Sequence, residues 1–236
     1  MSVELEVTED PARACAALMV GAAIGGGHIV LTGGSTPKSA YERFADRVRS
    51  LGLDMSGTTF WLGDERCVDP DDERSNYRMI RESLLDPLAS LPHPPTMRRI
   101  KGELGPEEGA ADYERELQAA GPPRFDLVLL GIGPDGHTAS LFPDQASLAV
   151  TDRLVVGVPE AGLEPFVPRV SLTLPALTAG RHVTMLASGE AKADAVARAF
   201  GSGREPDPHV PSSLVAPQAK QLTVLLDPAA AAGLSR

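Results

Sequence analysis

The stretch LVLLGIGPDGHTASLFPD, residues 127–144, opens with an apolar run and continues into a glycine-rich turn. The run is short and rich in Val and Leu, which is typical of a strand covered on both faces of a parallel sheet. The glycines of GIGPDG (131–136) then match G-x-G-x-x-G, the spacing of a dinucleotide-binding turn. The same turn carries Asp135 and His137, which a dinucleotide site does not require. The segment therefore predicts a strand that ends in a ligand-binding turn, with the ligand still open.

A dinucleotide site is the less favoured interpretation of this turn. Glu160 does lie near the end of the next predicted strand, where a ribose-binding acid is expected. However, Pro134 removes a backbone N–H from the turn, and Pro143 would end a following helix early. Asp135 would also place a carboxylate beside two phosphates. An Asp-x-His pair at a strand end instead suits a general base, His137, and the group that orients it, Asp135. A tight Asp-Gly turn with a structural histidine is the alternative.

Outward from this strand, β-rich runs alternate with helix-like segments. Strands are predicted over residues 28–32, 58–62, 125–130, 153–158, 182–187 and 221–227. Helices are predicted over residues 11–23, 37–51, 77–85, 106–119 and 190–200. Prolines directly after Asp10 and Thr36 mark two of the helix starts. The alternation favours an α/β fold with a mostly parallel sheet, and no repeat or low-complexity segment divides residues 1–236, so we expect a single domain.

The composition restricts the class of protein. The 42% of hydrophobic and 23% of charged residues are typical of a globular domain, and no apolar run reaches the roughly 18 residues of a membrane span. The net charge of −10 argues against a nucleic-acid partner, and any anionic ligand then needs a local basic pocket. The acidic N-terminal stretch does not resemble a signal peptide, and Cys15 and Cys67 are too few for a disulfide framework. We therefore expect a cytoplasmic protein with free thiols and no membrane partner.

A second glycine-rich motif follows the predicted strand 28–32. In TGGSTP, the neighbouring glycines Gly33 and Gly34 allow the backbone to approach a ligand closely. Ser35 and Thr36 add hydroxyl groups at a predicted helix start, where backbone amides and the helix dipole favour a phosphate. A plain Ser/Thr helix cap is the alternative for this motif.

Basic residues near three other predicted element ends are further candidates. In WLGDERC (61–67), Arg66 is suited to a phosphate or a developing oxyanion, although such a charged triplet is often a solvated cluster. Lys192, at a helix start, and Arg169, ahead of a strand-like segment, would add positive charge, although taken individually each is better explained as a surface charge. Ser75-Asn76 has the character of a helix-capping pair that could also reach a sugar.

Several other kinds of site are not supported by the sequence. The histidines never occur as H-x-H or H-x-x-x-H, so no metal site is predicted. The G-x-S-x-G turn of many serine hydrolases is absent, and so is the G-x-x-x-x-G-K-[ST] loop that binds nucleoside triphosphates.

Together, these motifs and their order resemble the 6-phosphogluconolactonase family. The matching segments are LTGGSTPKSAYERFA (31–45), WLGDERCVDPDDERSNYRMIRESLL (61–85), FDLVLLGIGPDGHTASLFPD (125–144) and, more weakly, RVSLTLPAL (169–177) and ASGEAKADAV (187–196). The resemblance implies a Rossmann-like α/β/α sandwich similar to the sugar-phosphate isomerase/deaminase superfamily. It also implies hydrolysis of 6-phospho-D-glucono-1,5-lactone to 6-phosphogluconate in the pentose phosphate pathway, with neither cofactor nor metal.

The roles of the catalytic candidates follow from this resemblance. His137 would take a proton from a water molecule that attacks C1 of the lactone, while Asp135 orients the imidazole or stabilises its cationic form. Arg66 would face either the phosphate or the tetrahedral oxyanion, and the sequence leaves that choice open.

The phosphate of the substrate is expected at the second glycine motif. Ser35, Thr36 and the neighbouring amides would hold it, helped by Lys192 and Arg169.

Two other functions remain as alternatives. Glucosamine-6-phosphate deaminases share the Gly-Gly-x-x-Pro and Asp-Gly-His motifs, but they carry an acid shortly after the latter, near the position of Phe142 in this chain. A non-catalytic sugar-phosphate sensor is the second alternative. The sequence also leaves open whether the protein is a monomer or a weak dimer, and whether residues 201–211 close over the site.

Overall fold

The fold is built on ten strands, in a computed structural model that describes residues 2–121 and 124–234. The strands are β1 (Ser2–Val7), β2 (His28–Leu31), β3 (Thr59–Leu62), β4 (Asp64–Arg66), β5 (Thr96–Arg98), β6 (Leu127–Gly131), β7 (Val155–Val158), β8 (Arg169–Leu172), β9 (His182–Ala187) and β10 (Gln221–Leu226). Seven of them form one sheet in the order β1-β10-β9-β6-β2-β3-β5, in which every neighbouring pair is parallel. The predicted parallel α/β architecture is confirmed.

Helices connect and cover the strands of this sheet. They are α1 (Pro11–Ala23), α2 (Ser35–Leu51), α3 (Asn76–Ile80), α4 (Asp86–Leu88), α5 (Pro106–Ala119), α6 (Leu174–Thr178) and α7 (Ala193–Phe200). A π-helical turn over Arg81–Leu85 joins α3 to α4, and a 3-10 turn over Glu190–Lys192 precedes α7. Helix α1 packs against α2 and against four strands of the sheet. No helix of the described chain is long and apolar enough to cross a membrane.

The core explains why the central strands have near-continuous apolar sequences. Residues Leu127–Leu130 of β6 and Ile29–Leu31 of β2 are buried, because the strands are covered on both faces. The aromatic side chains Trp61, Tyr113 and Phe125 pack edge-to-face within this core. Both cysteines are free thiols, as expected.

The remaining three strands form a small antiparallel sheet in the order β4-β8-β7, which the sequence did not predict. Strand β4 pairs with β8 so that Asp64 lies opposite Ser171 and Arg66 lies opposite Arg169. Because side chains alternate along a strand, Asp64 and Arg66 share one face of β4, and Glu65 points to the other. This pairing brings two distant segments of the chain to the carboxyl end of the large sheet.

Several predicted boundaries of elements are wrong; strand β6, for example, begins at Leu127 rather than at residue 125. Helix α2 begins at Ser35 rather than at Pro37, and Gly34, with φ of 117°, takes the N-cap position expected for Thr36. Glycine adopts this backbone conformation without a steric penalty, so the helix starts two residues earlier. Strand β7 begins at Val155 rather than at residue 153. The start of α1 is as predicted, since the Asp10 carboxylate accepts the N–H of Arg13 at 3.0 Å.

Candidate active site

A cavity of about 230 Å³ opens at the carboxyl ends of β2, β3 and β6, next to β8. These three large-sheet strands are neighbours, so the loops that follow them meet at one edge, where open α/β sheets bind ligands. The lining residues are Thr32, Gly33, Gly34, Asp64, Arg66, Asn76, Gly131, Ile132, Gly133, Pro134, His137, Ala139, Phe142, Leu163, Glu164, Arg169 and Lys192.

His137 and Asp135 form a hydrogen-bonded pair at the cavity. The Nδ1 atom of His137 lies 2.6 Å from Oδ1 of Asp135, and the same oxygen accepts the backbone N–H of His137 at 3.2 Å. Burial by itself raises the pKa of Asp135, but the hydrogen bond and charge of His137 outweigh it and lower this pKa overall. With Nδ1 engaged, Nε2 is the ring nitrogen left for a ligand. The pair therefore has the arrangement of a base and its orienting carboxylate.

The glycines of the turn make room for this pair. A Cβ atom at Gly133 would lie 2.0 Å from Nδ1 of His137, so no larger residue fits beside the imidazole. The N–H of Gly133 also donates to the carbonyl of His137 at 2.8 Å, which closes the turn. Gly136 has φ of 94°, a conformation that other residues rarely adopt. The G-x-G-x-x-G spacing thus shapes the surroundings of the imidazole.

Residues 201–211 do not line the cavity; they end in contact with the outer side of this turn. The N–H of Ser212 donates to the carbonyl of Gly136 at 2.9 Å, and Val210 is buried. A Cβ atom at Gly136 would lie 2.9 Å from Cγ1 of Val210. The segment supports the turn from behind.

Three basic side chains, Arg66, Arg169 and Lys192, line the cavity. No carboxylate within the described ranges lies within 4.0 Å of their nitrogen atoms. Burial lowers the pKa of Lys192, with Asp135 opposing the shift. Positive charge without an ion-pair partner in a cavity suits an anion, although the chain carries a net charge of −10.

The two arginines are held in different ways. Arg169 is 4% exposed, and its guanidinium donates to the carbonyls of Val167 at 3.1 Å and Pro165 at 2.8 Å. Burial, and secondarily the charge of Arg66, lower the pKa of Arg169. Arg66 donates from Nη1 to the carbonyl of Arg74, while its buried Nε has no partner among the described residues. An unsatisfied buried donor at a cavity is suited to a ligand oxygen.

Asp64 and Asn76 line the same cavity. Asp64 was not among the predicted residues, whereas Asn76 was predicted only as part of a helix-capping pair that could also reach a sugar. Asp64 is 6% exposed, and its Oδ2 accepts the hydroxyl of Ser140 at 2.7 Å. The Asn76 amide donates to the main-chain carbonyl of Asp64 at 3.0 Å. The available signal was the strand alternation, which puts Asp64 on the face of Arg66 once β4 is known to be a strand.

Glu65 points away from the cavity and anchors the start of α3. Its carboxylate accepts the N–H groups of Asn76 at 2.8 Å and Tyr77 at 2.7 Å, and the hydroxyl of Ser75 at 3.1 Å. Burial raises the pKa of Glu65, and these hydrogen bonds oppose the shift. Asp64-Glu65-Arg66 is therefore not a solvated charge cluster, since Asp64 and Glu65 are buried.

The second glycine motif contributes its backbone more than its hydroxyls. Gly33 and Gly34 line the cavity, and a Cβ atom at Gly33 would lie 2.1 Å from Oδ1 of Asn76. Ser35 and Thr36, in the first turn of α2, are not among the cavity-lining residues described above. Within residues 2–121 and 124–234, no group of three or more His, Cys, Asp or Glu side chains could hold a metal ion.

A family model described as glucosamine-6-phosphate isomerases/6-phosphogluconolactonase matches residues 6–224. The chain belongs to this family. The 6-phosphogluconolactonase of Streptomyces coelicolor is 37% identical over 90% of this chain and 84% of its own length. The crystal structure of 6-phosphogluconolactonase from Leishmania guyanensis has a TM-score of 0.84, with 30% identity and full coverage of both chains. A monomeric glucosamine-6-phosphate deaminase has a TM-score of 0.81 at 20% identity, which shows the shared fold alone.

Within this isomerase/lactonase family, position 142 is where the resemblance implies an acid in the deaminases. Here Phe142 is 2% exposed, and its ring centroid lies 4.7 Å from that of His137. The imidazole therefore packs against an apolar surface on this side rather than against a second carboxylate.

Proposed function

We propose that the chain is a 6-phosphogluconolactonase, which hydrolyses 6-phospho-D-glucono-1,5-lactone to 6-phospho-D-gluconate. The observation that carries the proposal is one cavity that holds both the His137–Asp135 pair and three basic side chains with no carboxylate partner among the described residues. A lactone phosphate needs both, because it presents an electrophilic carbonyl at one end and a dianion at the other. Relatives named 6-phosphogluconolactonase, such as that of Nostoc at 40% identity, support it.

The chemical step uses His137 as a general base. Its Nε2 takes a proton from a water molecule as the water oxygen bonds to C1 of the lactone, and the carbonyl oxygen becomes an oxyanion. When this intermediate collapses, the bond from C1 to the ring oxygen breaks, and the imidazolium returns the proton to that oxygen. The carboxylic acid formed then loses its proton to solvent. Asp135 stabilises the cationic ring through the 2.6 Å hydrogen bond.

The phosphate is bound at the basic side of the cavity. Arg66 donates from its unpartnered Nε, and Arg169 and Lys192 add charge across the cavity. Backbone groups of Gly33 and Gly34 approach the same ligand, with Ser35 and Thr36 close by in the chain at the start of α2. This enzyme would act in the cytoplasm, at the second step of the oxidative pentose phosphate pathway.

A paired assay tests the proposal. Fresh lactone is made from glucose 6-phosphate by a dehydrogenase, and its loss is followed with and without the protein, in parallel with ammonia release from glucosamine 6-phosphate. We expect loss of lactone well above the spontaneous rate and no ammonia. Lactone loss at the spontaneous rate would refute the proposal, and ammonia release would favour a deaminase.

A further inference from the structure

Ser140 lies three residues after His137 and is completely buried. Its hydroxyl donates to Oδ2 of Asp64 at 2.7 Å, and its N–H donates to Oγ of Ser171 at 3.3 Å. Ser140 therefore connects the loop that carries His137 to both strands, β4 and β8, that carry the cavity arginines. Core packing alone does not require a serine at this position, because an alanine would fill it without the cost of burying a hydroxyl group.

The backbone before Ser140 is held in an unfavourable conformation. Ala139 has φ of 49°, in the left-handed region that costs a residue with a Cβ atom on the order of 1 kcal/mol. Two hydrogen bonds fix this turn. The N–H of Leu141 donates to the carbonyl of Thr138 at 2.9 Å, and the hydroxyl of Thr138 donates to the carbonyl of Gly131 at 2.9 Å. This strain is maintained at the residue that turns Ser140 toward Asp64.

The two oxygens of Asp64 have different surroundings. Oδ2 is taken by Ser140, whereas Oδ1 has only a long contact of 3.4 Å to the amide of Asn76. No basic side chain of the described chain lies within 4.0 Å of this carboxylate, which lines the cavity. An ionised carboxylate with an available oxygen accepts hydrogen bonds from neutral donors such as hydroxyl groups.

We propose that Ser140 is a positioning residue that fixes the Asp64 carboxylate so that Oδ1 accepts a hydroxyl of the sugar ring. The inference rests on the proposed function, because it assumes a polyhydroxylated phosphate ester in the cavity. Ser140 itself touches neither the water nor the lactone; it sets the orientation of the group that does the recognition.

Binding of 6-phosphogluconate by calorimetry tests this role without relying on turnover. In Ser140→Ala we expect the affinity for 6-phosphogluconate to fall about tenfold, as for loss of one hydrogen bond, while the affinity for inorganic phosphate stays unchanged.

Two further variants separate positioning from folding. Ser147→Ala is the matched control, since Ser147 is a buried serine in a separate groove whose hydroxyl has no partner within the described ranges. We expect it to bind like the wild type. Asp64→Asn should show the same loss of affinity for 6-phosphogluconate. The double variant Asp64→Asn with Ser140→Ala should bind no more weakly than Asp64→Asn alone.

The outcomes distinguish the two proposals. Unchanged 6-phosphogluconate affinity in folded Ser140→Ala would overturn the role of Ser140, even if the wild type hydrolyses lactone. A selective loss of sugar affinity would support it, even if lactone hydrolysis stayed at the spontaneous rate. If the losses of binding free energy for 6-phosphogluconate in Ser140→Ala and Asp64→Asn added fully in the double variant, that result would also overturn the role of Ser140.

Discussion

At the scale of the residue, His137 gives the most direct test of the chemistry. Its Nδ1 is hydrogen-bonded to Asp135 and its ring packs at a tilt of 46° against Phe142, so its orientation is fixed before any ligand binds. We expect His137→Gln to lower kcat by roughly 10²- to 10⁴-fold and to leave KM nearly unchanged, since on the proposed function other side chains bind the phosphate. Initial rates over a range of lactone concentrations measure both. An increase in KM at constant kcat would make His137 a binding residue.

Lys192 should act on substrate affinity instead. Replacing it by methionine keeps the length of the side chain and removes the charge, so we expect KM to increase roughly 10- to 100-fold, the value of a charged hydrogen bond. Inhibition by inorganic phosphate should weaken in parallel. Lys220→Met, which removes an exposed lysine that does not line the cavity, is the control. Equal KM values for the two variants would exclude Lys192 from the phosphate site.

The residues found from the sequence were those that directly follow a large-sheet strand or stand out by charge. His137, Asp135 and Arg66 belong to short motifs at strand ends, so their convergence could be expected from the parallel sheet. Asp64 and Ser140 were not found, because their contact joins residues 76 positions apart and depends on a turn with left-handed Ala139. Ser35 and Thr36 were chosen from helix-start chemistry, and their role in phosphate binding stays a prediction.

At the scale of the element, the three residues of strand β4 have different surroundings: Asp64 and Arg66 line the cavity, and Glu65 points to the other face. The middle residue, Glu65, is 2% exposed and receives four hydrogen bonds, three of them from backbone N–H groups. In Glu65→Gln, an NH₂ group would replace one of the two acceptor oxygens and would face an N–H or O–H group that also donates. We therefore expect the free energy of unfolding in urea to fall by roughly 1–3 kcal/mol. Glu73→Gln, at an exposed site in the same loop, should be neutral, and a similar loss there would contradict this account.

The five inner strands of the large sheet and the long helices were predictable because most of them carry a local signal, an apolar run or a proline-marked start. The edge strands β1 and β5 were not predicted. The small sheet was not predicted either, because β4 has only three residues, all charged, and its strand conformation comes from pairing with β8 about a hundred residues later. The start of α2 was placed late for a similar reason, since the conformation of Gly34 depends on how the loop meets its surroundings.

At the scale of the whole molecule, His182 couples stability to pH at the amino end of the large sheet. Burial lowers its pKa, with Glu4 of the edge strand opposing the shift, and its Nε2 lies 2.9 Å from the Thr223 hydroxyl. As pH falls below about 6.5, unfolded chains take up a proton that the folded protein resists, so the free energy of unfolding decreases.

Urea unfolding from pH 7.5 to 5 measures this effect. We expect His182→Gln to lose less stability on acidification than the wild type, and His93→Gln, at an exposed site, to follow the wild type. Identical slopes for all three proteins would show that His182 does not contribute.

The pairing of β4 with β8 has a consequence for which sugars fit. Asp64 and Arg66 are two residues apart on one strand, so their Cα atoms are separated by about 6.6 Å, a distance that the backbone sets. On the proposed function, Asp64 accepts a hydroxyl of the sugar and Arg66 donates to the phosphate, so the strand sets the spacing between these two contacts. We expect a phosphorylated lactone that is one carbon shorter to contact either Asp64 or Arg66, but not both at once. Because strand geometry fixes the spacing from which both side chains extend, we expect preference for chain length to depend on the backbone of β4 as well as on the two side chains.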